Sequence, residues 1–122
     1  MKAFEKILRL AAFNVFAHNC NDHSKNVSFL MDEKGYWKLA PAYDLTFSSS
    51  SHGMYSTMVA GENAHPTKKH LIGLANYFKI KNAALIIDQV SNTVKQWKKY
   101  ADQCDVSKVS KNKIEKVINW KK

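Results

Sequence analysis

The run Asn21-Asp22-His23-Ser24-Lys25-Asn26 gathers two amides, a carboxylate, an imidazole and an ammonium within six residues. Asp44 follows after one short stretch of strand-like pattern. An Asn and an Asp placed this way suit magnesium, which takes oxygen ligands in octahedral geometry, usually one or two side chains plus phosphates and waters. The indicated chemistry is phosphoryl transfer, with Asn26 and Asp44 as the metal-ligand candidates.

Protein kinases hold magnesium with an Asn at the end of the catalytic loop and an Asp beyond the next hairpin. Their catalytic Asp lies five residues before that Asn. Counting back from Asn26 gives Asn21. A neutral amide can hydrogen-bond a substrate hydroxyl but cannot accept its proton, and a general base typically contributes ~10²–10⁴-fold. Asp22 is a carboxylate one residue away and substitutes only if the loop shifts. A plainer reading stays open at this point: Asn26 caps a turn and Asp44 accepts local backbone hydrogen bonds.

The elements that must position these residues are legible as patterns. Phe4, Ile7, Leu8, Ala11, Ala12, Val15 and Phe16 recur at three- and four-residue spacing, which predicts an amphipathic helix over residues 2–18. Residues 19–26 are polar and aperiodic, and read as a loop. Val27-Ser28-Phe29-Leu30-Met31, the turn residues Asp32-Glu33-Lys34-Gly35, and Tyr36-Trp37-Lys38-Leu39 predict a β-hairpin that Pro41 ends. Asp44 then falls just beyond the hairpin, so that the hairpin would bring the two ligands to one end.

Ser48 to Ser51 with His52-Gly53 reads as a surface loop, and residues 54–60 as a short strand ending at Gly61. Thr67 is an N-cap candidate for a helix running to Phe78. Residues 83–103 are predicted as one longer helix, with Leu85, Ile86, Val90, Val94, Trp97 and Ala101 on its apolar stripe. Residues 105–107 break it, and Ser110 is a cap candidate for a last helix carrying Ile114, Val117, Ile118 and Trp120. The predicted order is helix, loop, hairpin, loop, then two or three helices: an α+β domain with helix dominant.

At 122 residues the prior is one domain. The net charge of +9 is uneven, with nine lysines in residues 95–122 against Asp102, Asp105 and Glu115. Arg9 is the only arginine, and bidentate recognition of phosphate or guanine favours arginine. The basic end therefore reads as a solvated helix face, and nucleic-acid contact as at most indirect. His18, His23, His52, His65 and His70 show no HxxxH spacing, so zinc is not expected. Cys20 and Cys104 form no CxxC pair and read as buried free thiols. Glu5, Lys6, Arg9 and Asn14 interrupt the apolar start of the chain, and no segment approaches the ~20 apolar residues of a membrane span. A soluble cytoplasmic protein without membrane contact is expected.

Three blocks carry a family resemblance: Phe13-Asn14-Val15 with Asn19; Asp22-His23-Ser24-Lys25-Asn26-Val27-Ser28-Phe29-Leu30; and Trp37-Lys38-Leu39-Ala40-Pro41-Ala42-Tyr43-Asp44-Leu45. Together they resemble the C-terminal lobe of HipA-family Ser/Thr protein kinases, toxins of bacterial type II toxin–antitoxin pairs, whose pattern is roughly FNxxxxNxDDHxKNxSFL…WxLxPAYDL. The likeness continues more loosely through Met58-Val59-Ala60-Gly61 to about Val106, and more distantly touches phosphatidylinositol kinases. It implies a kinase-like C-lobe over residues 1–122, with the helix at 1–18, the catalytic loop, hairpin and metal Asp at 19–45, and a helical part at 67–122. It implies Asn26 and Asp44 as ligands of magnesium at ATP, and His23 and Lys25 as catalytic-loop residues, His23 bracing the loop. Asp22 matches the second Asp of the family's DDH triplet, and Asn21 stands where the first, catalytic Asp belongs.

The likeness covers only the last third of such a kinase. These residues hold no GxGxxG loop and no upstream lysine strand for the α- and β-phosphates. The expectation is a lobe fragment, inactive or nearly so by itself. The alternatives are a subunit completed by an upstream-encoded N-lobe chain, or a non-enzymatic module that holds an antitoxin or nucleic acid. The resemblance further implies a HipB-like antitoxin as a possible partner and proteins of translation as substrates.

Overall fold

The computed structural model describes residues 2–21, 23–50 and 54–119. Helix α1 spans Lys2–Phe16, a 3-10 turn covers Ser24–Asn26, and strands β1 (Phe29–Met31) and β2 (Trp37–Leu39) form an antiparallel hairpin. Four helices follow: α2 (Lys68–Tyr77), α3 (Ala83–Lys95), α4 (Trp97–Gln103) and α5 (Lys108–Glu115). The domain is α+β, about half helical, with four rather than two or three helices after the hairpin among the described residues.

The apolar stripe of α1 explains the packing. Leu8, Ala12, Val15 and Phe16 are buried against Leu71 and Ala75 of α2 and Ile86, Ile87, Val90 and Val94 of α3. Each fully buried large side chain here, such as Leu8, Phe16 or Ile87, contributes about 1.5–3 kcal/mol by leaving water. Leu85 is exposed, contrary to the expected stripe, and Ile87 is buried in its place. Adjacent helical positions differ by about 100°, so an assignment that starts one residue early rotates part of the stripe into solvent.

The predicted single helix over 83–103 is two helices. Gln96, at φ −87° and ψ 12°, separates them, and its N–H reaches back to the Thr93 carbonyl at 3.0 Å. The Thr93 hydroxyl donates to the Gln89 carbonyl at 2.9 Å, a back-bond that bends helices. Thr67 is the N-cap residue of α2 as expected, and His70 Nδ1 accepts from the Thr67 N–H at 3.0 Å. The cap of α5 is Ser107, not Ser110: the Ser107 hydroxyl oxygen accepts from the Ser110 N–H at 3.2 Å. Trp120 lies outside the described residues.

No named strand forms over 54–60. Val59 and Glu62 instead pair across a turn in which Ala60 and Gly61 both have positive φ, 49° and 83°. Two successive positive φ values reverse the chain within two residues, which leaves no room for an extended run. Helices α1, α2 and α4 each end on a left-handed residue, His18, Lys79 and Asp105. The next N–H closes back five residues in each case, onto the Asn14, Ala75 and Ala101 carbonyls, so the last turns keep their backbone partners.

The lysine-rich end is a solvated face, as charge patterning suggests. Lys98–Glu115 (3.0 Å) and Lys111–Asp102 (2.5 Å) tie α4 to α5, and Lys68–Asp88 (2.6 Å) ties α2 to α3. Pairs this exposed contribute ~0–1 kcal/mol each. Both cysteines are free; Cys20 is buried, but Cys104 is exposed, against expectation, at the C-cap of α4. No described helix is long and apolar enough to cross a membrane.

Candidate functional site

The loop after α1 is held from beneath by a pair of buried amides. Asn14 and Asn19 are each 3% exposed. The Asn19 side-chain amide donates to Asn14 Oδ1, and its backbone N–H to the Asn14 carbonyl, both at 2.9 Å. The two asparagines of the sequence block Phe13-Asn14-Val15 with Asn19 are thus a structural clasp, closing the helix end onto the loop start.

A second clasp comes from the chain beyond Asp44. Asn19 and Ser48 form a parallel bridge: the Cys20 N–H donates to the Ser48 carbonyl at 2.9 Å, and the Ser48 N–H to the His18 carbonyl at 3.1 Å. Ser56 adds its N–H and hydroxyl to the Cys20 carbonyl, both at 3.0 Å. Ser48 therefore belongs to an anchored segment rather than to a free serine loop. Ser51 and His52 lie outside the described residues.

Above these clasps sits the polar run. Asp22 lies outside the described residues. Asn21 is exposed, and its carbonyl accepts from the Asn26 side-chain amide at 2.9 Å. The Asn26 N–H donates to the His23 carbonyl at 2.9 Å, closing the 3-10 turn. The five-residue interval from 21 to 26 is thus spanned by one hydrogen bond. With its Nδ2 so engaged, Asn26 has Oδ1 left as a ligand atom. His23 is half-buried, and its Nδ1 is enclosed without a hydrogen-bond partner. Lys25 is exposed.

Tyr43 ties this turn to the segment that carries Asp44. Its hydroxyl donates to the Lys25 carbonyl at 2.9 Å. That proton being committed, the Ser28 hydroxyl, 2.7 Å away, must be the donor to Tyr43. The hairpin register continues below, with Phe29 opposite Leu39 and the Ala40 N–H on the Ser28 carbonyl at 2.8 Å. Asp44 follows directly, exposed, at φ 55°, and its carboxylate has no hydrogen bond or ion pair among the described residues. An unpaired carboxylate and an amide oxygen are the ligand types that suit magnesium, which brings phosphate and water ligands with it. No cluster of three or more His, Cys, Asp or Glu side chains able to hold a metal occurs among the described residues.

A deeper polar chain braces the same loop. Tyr55 donates to the Val15 carbonyl at 3.1 Å and sits 3.1 Å from His18 Nδ1; His18 Nε2 is 3.4 Å from Cys20 Sγ. With the phenol proton on Val15, His18 carries its proton on Nδ1, and the Cys20 thiol donates to Nε2. Burial, with the Cys20 sulfur beside it, raises the Tyr55 phenol well above its ordinary value. Neither this chain nor the role of Tyr43 is readable from residue types. The signals for Tyr43 are its position immediately before Asp44 and its place in the block Trp37 to Leu45 that carries the family resemblance.

Asn26 and Tyr43 also edge a cleft of about 480 Å³ between α1, α3 and the base of the hairpin. Its walls are mostly apolar.

Among protein families, the model of the HipA-like C-terminal domain matches residues 1–98. No curated protein and no solved structure matches the chain.

Proposed function

Because the chain belongs to the HipA-like C-terminal domain family, we propose that residues 21–44 are the metal- and nucleotide-contacting part of a Ser/Thr kinase lobe, and that this chain alone turns over slowly or not at all. The observation that carries the reading is the bond from the Asn26 amide to the Asn21 carbonyl, together with the Tyr43 tie that fixes Asp44's segment against the same turn. Asn26 Oδ1 and the Asp44 carboxylate would hold magnesium, which when bound neutralises phosphate charge in a phosphoryl transfer. Lys25 would present its exposed ammonium to the phosphate side of the same turn. Asn21 stands at the base position. Its side-chain amide can orient a substrate hydroxyl but leaves the proton without an acceptor, a deficit of ~10²–10⁴-fold.

A second reading, completion by another chain that supplies the cover over the phosphates, is favoured by the exposed apolar side chains of the hairpin. Monomeric proteins rarely leave such a face in water. An antitoxin and a protein substrate of translation remain proposals of the family resemblance.

The test uses the 122-residue protein with ATP and either magnesium or manganese. Manganese with ATP is expected to broaden the amide signals of Asn26 and Asp44, and Asp44→Asn to abolish that broadening. Wild type is expected to show no turnover, and Asn21→Asp to gain it when a nucleotide-covering chain is present. Robust phosphorylation by wild type alone, or manganese broadening that ignores Asp44→Asn, would overturn the reading.

A further inference from the structure

A separate cavity, of about 460 Å³, opens between the loop that leads into α2 and the segment that follows α5. Ala64 to Thr67 form one wall and Lys116 to Asn119 the other, and His18 and Tyr55 also line it. Neither Asn26 nor Asp44 does. The wall from Lys116 to Asn119 lies beyond residues 1–98, the span shared with the HipA-like C-terminal domain family.

Both walls are held by contacts within the chain. Glu62 Oε1 accepts from the Ala64 and His65 N–H groups, at 2.7 and 3.0 Å, and the Thr67–His70 capping box fixes the end of that wall. Opposite, Ile118 is 8% exposed within the core cluster, and the Asn119 N–H donates to the Phe16 carbonyl at 3.2 Å. A cavity formed before binding costs its ligand little in ordering.

The lining groups differ in what they can offer a ligand. Tyr55, Pro66 and Ile118 are buried and Val117 is half-buried, which makes much of the lining apolar. The Tyr55 hydroxyl and both ring nitrogens of His18 are already engaged, with Val15, with one another and with Cys20. The Thr67 hydroxyl oxygen accepts from the His70 N–H. Lys116 and His65, by contrast, are exposed, and their side chains make no ion pair or hydrogen bond among the described residues. No acidic residue lines the cavity among the described residues. Lys116 supplies one full positive charge, and the Glu62 carboxylate, three residues before His65, acts against a second negative charge on a ligand. One ammonium beside apolar walls suits a monoanion with an apolar body, whereas dianionic phosphate favours the paired donors of arginine. The volume lies within the ~300–1,000 Å³ of small-molecule sites.

We propose that this cavity binds a small monocarboxylate with an aromatic or branched aliphatic body, its carboxylate on Lys116 with His65 as a second donor, and its body against Tyr55, Pro66 and Val117. The inference holds whether or not Asn26 and Asp44 bind magnesium, since neither residue lines the cavity.

The probes are phenylacetate, its neutral amide phenylacetamide, acetate and phenyl phosphate. Each is titrated into the 122-residue protein without nucleotide, and binding is read from amide and imidazole chemical shifts. Phenylacetate is expected to shift the amides of residues 64–67 and 116–119 and the His65 ring, and to bind about tenfold more tightly than phenylacetamide. Lys116→Gln, a change at an exposed position, is expected to remove that advantage. Acetate, which carries the charge without the body, is expected not to bind, and phenyl phosphate to bind no more tightly than phenylacetate. Equal binding of acetate and phenylacetate would overturn the proposal, because surface charge alone would then account for it. Tighter binding of phenyl phosphate would overturn it in favour of a phosphate site. Shifts away from the cavity, phenylacetate binding unchanged by Lys116→Gln, or no binding at about 10 mM phenylacetate would each overturn it as well.

Discussion

Tyr43 donates its phenolic proton to the carbonyl of Lys25 across eighteen residues of sequence, at 2.9 Å. It accepts from Ser28 at the same time, so one hydroxyl sets the distance between the polar turn and the residue before Asp44. Replacing Tyr43 by Phe keeps the ring and removes both bonds. The residue is exposed, so the expected cost is about 0.5–1.5 kcal/mol, measured by denaturant unfolding. The local effect should exceed the global one: amide exchange at residues 25–28 is expected to accelerate while that of α3 stays unchanged.

Asn14 and Asn19 present the opposite case, a polar pair with almost no solvent. In this arrangement Asn14 Nδ2 and Asn19 Oδ1 are buried without partners, while the other two amide atoms bond each other. Asn14→Ala is expected to destabilise by about 1–3 kcal/mol, because it strands the Asn19 donor as well as removing a bond. Asn19→Ala should cost a similar amount. The double variant should cost less than the sum, with a coupling of about 0.5–3 kcal/mol in a thermodynamic cycle, since the second change strands nothing new. Additive losses would mean that the side chains act independently.

The parts of the fold that sequence patterns reveal are those governed by short-range periodicity. The stripe from Leu8 to Phe16 dictates α1, and the turn residues Asp32 to Gly35 dictate the hairpin, where Gly35 takes φ 84°. Patterns fail where a single residue decides. Gln96 divides a continuous apolar stripe three residues after the Thr93 hydroxyl bonds back to the Gln89 carbonyl, and nothing in the apolar spacing records it. The site divides in the same way. The types and spacing of Asn21, Asn26 and Asp44 indicate candidate chemistry, and the structure adds the bond that spans Asn21 and Asn26. The ties made by Tyr43, Tyr55 and Ser48 connect residues fifteen to forty positions apart, which local periodicity cannot encode.

Glu62 closes the loop before α2. Its Oε1 accepts from the Ala64 N–H at 2.7 Å and the His65 N–H at 3.0 Å. These backbone donors, that of His65 first, hold the carboxyl below its ordinary value of 4.5. A carboxyl with a lowered folded-state pKa contributes stability that is present above the unfolded value and is lost as pH falls through the folded one. The acid limb of the stability curve should therefore include a Glu62 contribution that begins below about pH 4.5. Glu62→Gln is expected to flatten that limb while changing stability little at neutral pH, where its amide oxygen still accepts. Direct titration of the Glu62 carboxyl by NMR should give a value below that of the unfolded chain.

Tyr55 supplies the matching alkaline prediction. Its phenol is raised from an ordinary 10.0 by burial and the adjacent Cys20, so the folded protein keeps it protonated where the unfolded chain ionises. A group raised in the fold contributes stability that is full below the unfolded pKa and declines as pH rises above it, because the unfolded state alone releases the proton. Unfolding free energy should therefore fall above about pH 10, and Tyr55→Phe should show a flatter decline over the same range. The same substitution removes the bonds to Val15 and His18 together, at an expected cost of about 1–3 kcal/mol at neutral pH. Phenolate absorbance gives an independent check: native wild type and native Tyr55→Phe should titrate with the same amplitude up to the pH at which wild type unfolds. A larger native amplitude in wild type would mean that Tyr55 ionises in the folded state, and that Val15 and His18 do not hold its proton.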